Sequence, residues 1–190
     1  MAYLDHQHLM AMGFKRLGVN VKISDKASIY DADRMEIGDH SRIDDFCVIS
    51  GSLIVGRYCH ITPMCLIAGG APGINFSDFC TLAYGVKIFA QSDDYSGCTM
   101  TNSLIPKKYK REIFASVTIG RHAIIGAGSV VFPGADIAEG CAIGAMTLVT
   151  RPTEPWGVYV GIPAYRLKSR RQDLLELEKM FHGEVGENSV

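Results

Sequence analysis

Residues 119–149 read IGRHAIIGAGSVVFPGADIAEGCAIGAMTLV, and an aliphatic residue recurs at every sixth position of this stretch. A small residue lies four positions after each of the first five aliphatic residues, at Ala123, Ser129, Ala135, Cys141 and Thr147. A helix repeats its buried face every ~3.6 residues and a strand every ~2. A period of six therefore indicates a backbone that turns a corner in each repeat, as in a parallel β-helix, and predicts an all-β fold.

The same register extends upstream, on the far side of one interruption. It runs through Ile37, Ile43, Ile49, Val55, Ile61 and Ile67, and after a slip of three residues through Phe76, Leu82 and Ile88. Earlier still, Leu17, Ile23 and Ile29 keep the same period. The residue after the aliphatic position is often small, as at Gly38, Gly120 and Gly144, which suits a corner that has little room or needs a positive φ. Residues 89–116 break the period, so we expect an inserted loop there, where function tends to be carried.

Bulk composition agrees with one continuous core. The 190 residues are 47% apolar, which predicts a single domain 1–190. We expect a short N-terminal helix in 1–16, the β-helix in 17–164, a C-terminal helix in 165–182 and a frayed polar tail in 183–190. A net charge of −1 offers no electrostatic reason for a nucleic-acid partner. No apolar run matches a membrane span, and the N-terminus does not resemble a signal peptide.

The cysteines fit the repeat without a metal or a disulfide. Five of them lie at the small position, namely Cys47, Cys59, Cys65, Cys80 and Cys141, where a corner accepts a small apolar side chain. There is no CxxC pair, so we expect no metal site. Cys98 lies in the loop and is read as an ordinary loop residue. Unpaired thiols favour a cytoplasmic location.

The hexads, the loop and the closing segment Pro155–Ala164 resemble the left-handed β-helix hexapeptide acyltransferases. The resemblance implies a homotrimer with three hexads per coil, with acyl-coenzyme A (acetyl-coenzyme A most often) as co-substrate in the groove between subunits. The loop of one subunit then reaches toward the next. Within the family, Gln91–Gly97 and Ile105-Pro106 are similar to transferases that acylate nucleotide-linked amino sugars for cell-surface polysaccharide synthesis.

The same fold is compatible with three alternatives. An O-acetyltransferase acting on a sugar hydroxyl, of galactoside or O-antigen type, is the main alternative. Zinc carbonic anhydrases need three converging His ligands, and downstream of His40 only His60 and His122 lie on regular coils, without the close paired spacing expected for such ligands. A catalytically silent scaffold would have no need of the irregular loop.

Acyl transfer requires a nucleophile, a proton acceptor and donors for the oxyanion. The loop contains no His but begins with Asp93 and Asp94. Following the amino-sugar resemblance, Asp94 is the catalytic candidate that holds the acceptor's amino group or accepts its proton, and Asp93 and Tyr95 are candidates for acceptor binding. Only one carboxylate of an adjacent pair faces a cleft from an extended segment. The alternative for Asp94 is a solvated or turn-capping residue.

His60 is the second catalytic candidate, since it precedes the corner residue Ile61 and matches the amino-sugar enzymes at that position. It would orient the acceptor or share a proton with a carboxylate, unless it is an ordinary coil residue. His122 is the alternative base for a hydroxyl acceptor. Tyr84, near the last corner before the loop, is a candidate for contact with the sugar or base, the alternative being a buried solenoid tyrosine. A positioned amine attacks a thioester without a strong base, so the loop without His favours N-acylation.

Binding of the acyl donor is predicted at two places. Ala127 and Ala145 lie in glycine-rich stretches whose backbone amides are accessible to a pantetheine arm. Arg166 and Lys168, in a basic cluster with Arg170 and Arg171, are placed to meet the phosphates of coenzyme A. The alternative for the cluster is a solvated helix start.

Overall fold

The computed structural model describes residues 2–187 of the chain. Helix α1, His6–Ala11, is capped by Asp5, whose side chain accepts a hydrogen bond from the backbone N–H of His8 at 2.9 Å. Helix α2 spans Leu174–Glu187. Single 3-10 turns occur at Ala32–Arg34 and Lys107–Tyr109.

Short strands form the rest of the chain. Before the loop they are β1 (Arg16–Leu17), β2 (Lys22–Ile23), β3 (Ser28–Ile29), β4 (Met35–Ile37), β5 (Arg42–Ile43), β6 (Val48–Ser50), β7 (Leu53–Val55), β8 (His60–Ile61), β9 (Leu66–Ala68), β10 (Ile74–Phe76), β11 (Thr81–Leu82) and β12 (Lys87–Phe89). The loop contains β13 (Gln91–Ser92) and β14 (Ile113–Phe114). After it come β15 (Val117–Ile119), β16 (Ile124–Ile125), β17 (Val130–Val131), β18 (Ala142–Ile143), β19 (Leu148–Val149), β20 (Gly157–Val160) and β21 (Tyr165–Ser169).

The strands stack into three parallel faces of a solenoid of about seven coils, as the hexads predict. The first face has the order β1-β4-β7-β10-β15, the second β2-β5-β8-β11-β16-β18-β20-β21, and the third β19-β17-β12-β9-β6-β3. Among the strands of these three faces, β21 runs antiparallel, against β20. The β13–β14 pair forms a separate antiparallel hairpin within the loop.

The core is the stack of hexad residues. The aliphatic residues from Ile119 to Val149 at six-residue spacing are at most 3% exposed, and the five small residues between them are at most 1% exposed. The five hexad cysteines are buried in the same way, and Cys98 is exposed. Each fully buried Ile or Val contributes roughly 1.5–3 kcal/mol by leaving water, so the repeat stabilises the coil along its whole length.

The corners differ in one detail from the expectation. The positive φ falls three residues after the aliphatic position, often on a bulky residue such as Tyr58 (55°), Phe79 (61°) or His122 (58°). The residue directly after the aliphatic one is small for another reason. A Cβ on Gly38 would lie 2.6 Å from the backbone of Gly56 in the next coil, which no real Cβ contact allows. Close stacking of coils selects glycine at that position.

The segment 165–182 is not one helix, which corrects the prediction. Residues 165–169 form β21 and the helix begins only at Leu174. The strand alternates Tyr165 and Leu167 with Arg166 and Lys168, a period of two, and it pairs with the edge of β20, which would otherwise leave N–H and C=O groups unpaired. The helix continues through Glu187 into the predicted tail, of which residues 188–190 lie outside the described part.

No helix within residues 2–187 has the length and apolar character that crossing a bilayer requires. In the same part of the chain, no three His, Cys, Asp or Glu side chains are grouped so as to hold a metal ion.

Candidate active site

The outer row of the second face changes in character along the solenoid. One residue per coil projects outward, and register aligns them in the order Lys22, Arg42, His60, Thr81, Ile124 and Ala142. Their neighbours in each strand, such as Ile43 and Ile61, point into the core. The row is therefore cationic at its N-terminal end and apolar at its C-terminal end, with His60 next to the cationic part.

His60 belongs to a charged cluster with Asp44 and Arg42. Nε2 of His60 lies 2.9 Å from Oδ2 of Asp44. Arg42 donates to the same carboxylate, from Nε to Oδ1 at 2.6 Å and from its terminal nitrogen to Oδ2 at 3.1 Å. The Asp44 side chain is 2% exposed, whereas that of His60 is 39% exposed. The cluster thus has a buried anion and an accessible imidazole.

Burial of Asp44 acts to raise its pKa, but the hydrogen bonds from Arg42 and His60 outweigh burial and hold the pKa below the ordinary value of 3.8. Asp44 is therefore ionised at neutral pH. Tyr3 adds a weak hydrogen bond to Oδ1 at 3.4 Å, and the Arg42 guanidinium lies over the Tyr3 ring at 5.5 Å. The donors to this anion come from the N-terminal segment (Tyr3), from its own coil (Arg42) and from the next coil (His60).

Tyr84 lies beside this cluster. Its side chain is 58% exposed, so it is not a buried solenoid tyrosine. It is near enough to Arg42 to interact with it electrostatically. Tyr84 therefore lies at an accessible corner shortly after β11, the strand that pairs with β8 of His60.

Asp94 is held within the inserted loop. Its Oδ1 accepts a hydrogen bond from the backbone N–H of Ser96 at 2.8 Å, and its Oδ2 accepts one from the Thr99 hydroxyl at 2.9 Å. The hydrogen bonds from Ser96, and then those from Thr99, hold the pKa of Asp94 below 3.8. Such a carboxylate is a weak base but a good partner for an ammonium group, and lone pairs remain for it.

Asp93 has a different environment. Nζ of Lys110, which is 6% exposed, lies 3.7 Å from Asp93 and 3.1 Å from Glu112. The backbone N–H of Asn102 approaches the Asp93 carboxylate at 3.4 Å. Asp93 thereby ties the two sides of the loop together. It also lines, with the 90% exposed Tyr95, a small cavity between the loop and the third face.

The candidates thus form two groups within one chain. His60 and Tyr84 lie on the second face, whereas Asp93, Asp94 and Tyr95 lie in the loop. No hydrogen bond or ion pair connects His60 with Asp94 among residues 2–187.

The donor-binding candidates are accessible. Ala127 and Ala145 are exposed at the same corner of two consecutive coils. The Ala127 carbonyl accepts a hydrogen bond from the N–H of Met146 at 2.8 Å. Arg166 and Lys168 are exposed and two residues apart on β21, where Arg166 donates to the Ser169 hydroxyl at 3.1 Å. Arg170 differs from them, because it is partly buried and donates to backbone carbonyls of His122 at 2.8 Å and Gly140 at 3.0 Å.

His122 is occupied in packing, which argues against it as the alternative base. Its ring is stacked on Phe79 at 5.2 Å, and its Nε2 lies 2.9 Å from Oε2 of Glu178 in α2. Its side chain is only 9% exposed. The His122 ring therefore helps to hold α2 against the solenoid.

Asp44 and Arg42 were not singled out by sequence reasoning, although a signal existed. Arg42 precedes His60 by 18 residues, which is three hexads and one full coil. Aligning the sequence at that interval would have placed the two side by side.

Comparisons with known proteins identify the family of this chain. No family model matches the sequence. The chain is 43% identical over 192 residues to dTDP-4-amino-4,6-dideoxy-D-glucose acyltransferase of Escherichia coli, covering 99% of this chain and 100% of that enzyme.

Two solved structures bear on the fold. AntD, an N-acyltransferase from Bacillus cereus solved with dTDP and 3-hydroxybutyryl-CoA, has a TM-score of 0.95 and 38% identity over 97% of this chain and 98% of that one. A maltose O-acetyltransferase from Clostridium difficile has a TM-score of 0.55 and 19% identity over 87% of this chain and 75% of that one, a likeness of fold alone. The chain belongs to the coenzyme A-dependent, left-handed β-helix hexapeptide acyltransferases, within the group that N-acylates nucleotide-linked amino sugars.

Proposed function

We propose that this enzyme transfers an acyl group from acyl-coenzyme A to the 4-amino group of a dTDP-linked 4-amino-4,6-dideoxy sugar. The observation that carries the proposal is the full-length likeness to a curated enzyme named for that acceptor. A solved AntD variant holds dTDP-4-amino-4,6-dideoxyglucose and coenzyme A together, which supports the same pair of substrates here.

The two ends of the second face suit different substrates. Lys22 and Arg42 give its N-terminal end a positive charge suited to the pyrophosphate of a nucleotide sugar. Ile124 and Ala142 make its C-terminal end apolar, which suits a pantetheine arm lying beside the corners at Ala127 and Ala145. Arg166 and Lys168 then meet the phosphates of coenzyme A.

Asp94 has the role of holding the acceptor's amino group. Its lowered pKa makes it a poor proton acceptor but keeps it charged, so it positions the amine and does not deprotonate it. AntD variants in which one aspartate is replaced by asparagine or alanine were solved with dTDP and coenzyme A, so that aspartate is not required for binding either ligand in AntD.

His60 accepts the proton that the amine must lose. The amine nitrogen forms a bond to the thioester carbon, the carbon–sulfur bond breaks, and the electron pair leaves with the sulfur of coenzyme A. Backbone N–H groups at the corners of Ala127 and Ala145 are the proposed donors to the oxyanion.

A homotrimer brings the two groups of candidates together, with the loop of one subunit facing the second face of the next. The support is an apolar stripe along the corners that lead into the third face. Phe46 (60%) and Met64 (57%) are exposed there on successive coils, and Met146 (67%) is exposed three coils beyond Met64, after the corners at Gly85 and Gly128. Large apolar side chains exposed along one edge mark an interaction surface. The described thiols are all free, which favours the cytoplasm.

Thiol release from acetyl- and 3-hydroxybutyryl-coenzyme A tests the proposal, with dTDP-linked 3-amino and 4-amino sugars and the matching hydroxyl sugars as acceptors. We expect release only with an amino sugar, and fastest with the 4-amino compound. Release with the hydroxyl sugars alone would contradict N-acylation and favour the O-acetyltransferase alternative.

A further inference from the structure

We propose that Asp44 is a positioning residue of the acyl transfer, which holds the His60 ring with its Nε2–H turned inward and its unprotonated Nδ1 presented to the acceptor. This inference rests on the proposed function, because it assumes that His60 receives the amine's proton. It adds a residue that touches neither substrate and acts through His60.

The geometry defines which ring nitrogen carries the proton. An ionised carboxylate only accepts hydrogen bonds, so the His60 nitrogen 2.9 Å from Oδ2 of Asp44 must be the donor. In a neutral imidazole the other nitrogen is then the acceptor. Nδ1 has no hydrogen-bond partner among the described residues, and the ring is 39% exposed. The free base therefore lies on the accessible side.

Arg42 maintains this arrangement. Its two donors engage both oxygens of Asp44, which keeps the carboxylate charged and fixes its plane. Among the described residues, the cluster is also faced by Tyr3, which donates to Oδ1 at 3.4 Å, by Lys22, which is in register with Arg42 and lies over the Tyr3 ring at 5.9 Å, and by Tyr84, which acts electrostatically on Arg42. Asp45 faces away, toward Ser24 and Lys26.

The proton and the bonds balance in the proposed step. As the amine nitrogen bonds to the thioester carbon, its proton passes to Nδ1 of His60, and the imidazolium formed is stabilised by the Asp44 anion. The carbon–sulfur bond then breaks, and the imidazolium returns a proton to the thiolate of coenzyme A. His60 ends neutral, with its proton again on Nε2.

The substitution Asp44→Asn gives a sharp expectation. Arg42 makes its shorter contact, 2.6 Å, with Oδ1, so the amide oxygen takes that position and the amide NH₂ takes the position facing His60. An NH₂ group donates, so Nε2 becomes the acceptor and the proton moves to Nδ1. The same change of tautomer follows when the orienting Asp of a Ser-His-Asp triad is replaced by Asn. The Arg42 contact with Oδ1 is kept, the one with the Oδ2 position at 3.1 Å is lost, and Nδ1 no longer offers a free lone pair.

Nitrogen-15 NMR of the ring tests the tautomer without any assay of activity. His60 is assigned by the signal that disappears in His60→Gln. In the unmodified enzyme near pH 8 we expect the Nε2–H tautomer at His60, and in Asp44→Asn the Nδ1–H tautomer. An Nδ1–H tautomer in the unmodified enzyme would overturn the inference, even if Asp44→Asn failed to fold.

A double-mutant cycle tests the consequence for catalysis. At pH 7 we expect Asp44→Asn to lower kcat/KM for the amino sugar by about a hundredfold, within the range for a lost general base, with little change in KM for acyl-coenzyme A. In the His60→Gln background the same change should add less than about twofold, because a residue that acts through His60 has no further effect. The matched control is Asp78→Asn, since the Asp78 carboxylate is also paired with an arginine, Arg57, but has no His side chain as a partner among the described residues; its kcat/KM should stay near that of the unmodified enzyme.

The outcomes are distinguishable. A normal rate for His60→Gln would refute the proposed role of His60. A slow His60→Gln beside a normal Asp44→Asn would overturn the inference and leave the role of His60 intact. An additive loss in the double variant would assign Asp44 a separate role and overturn the inference as well. Absence of any product from the amino-sugar panel would refute the proposed function itself.

Discussion

The carboxylate of Glu178 in α2 lies 2.9 Å from Nε2 of His122, although the two residues are 56 positions apart. Arg121 forms an ion pair with the same carboxylate, and Phe181 of the helix packs edge-on against Tyr58 and Phe79. The C-terminal helix is therefore docked on the side of the solenoid by a partly buried ionic contact within an aromatic surround.

Glu178→Gln should loosen this docking. Burial raises the pKa of Glu178, but His122 and Arg121 outweigh burial and hold it below 4.5. We expect the free energy of unfolding to fall by about 1–2 kcal/mol at pH 7, as for hydrogen bonds to charged groups.

A lowered pKa stabilises the folded state at pH values above the unfolded pKa, and this contribution is lost as pH falls through the folded pKa. The difference between the variant and the unmodified enzyme should therefore persist down to about pH 4.5 and shrink below it. Denaturant unfolding at a series of pH values measures this difference in the free energy of unfolding. Glu176→Gln is the control, since the Glu176 side chain pairs, among the described residues, with exposed Lys179 alone. An equal loss of stability in both variants would contradict the docking role.

Asp94→Asn should lower kcat by about a hundredfold through lost positioning of the amine, with thermal stability and KM for acyl-coenzyme A nearly unchanged. Because the pKa of Asp94 lies below 3.8, any fall in rate between pH 7 and pH 5 belongs to another group. Its apparent pKa should therefore be the same in the residual activity of the variant. A normal rate in steady-state assays would remove Asp94 from the mechanism.

Replacing Arg166 and Lys168 together by Gln should raise KM for acetyl-coenzyme A by about tenfold, which corresponds to the loss of a few exposed phosphate contacts. With acetyl-pantetheine, which has no phosphates, the double variant and the unmodified enzyme should have the same KM. Lys15→Gln is the control, because Lys15 is 63% exposed, is paired with Glu36 and lies before β1, outside this basic cluster. A penalty that persisted with acetyl-pantetheine would assign the two cations a different task.

Met64→Glu should dissociate the proposed trimer, since a charge within an apolar interface loses its water without gaining a partner. Light scattering after gel filtration should show three subunits for the unmodified enzyme and one for the variant, and activity should fall with the mass. Met10→Glu, at an equally exposed position on α1, should leave the mass unchanged. A variant with Met64→Glu that kept its mass would show that the stripe is not the subunit contact.

Local spacing was enough to predict the coils, because the period of six and the small residue four positions later are properties of each hexad alone. The buried positions from Ile119 to Val149 follow from it without exception. The strand at residues 165–169 was missed, because its five residues are too few for the alternation to stand out from the helix pattern that follows.

The coil and its inserted loop could therefore be predicted from the sequence, and so could the carboxylate pair at the start of the loop. The sequence did not reveal the partner of Glu178. The interval of 18 residues places Arg42 beside His60, but the contact of the Asp44 carboxylate with the His60 ring depends on how the two coils stack in space. His122 meets Glu178 only because α2 turns back along the solenoid. Contacts between coils, and between helix and coil, depend on distances in space that the hexad period does not encode.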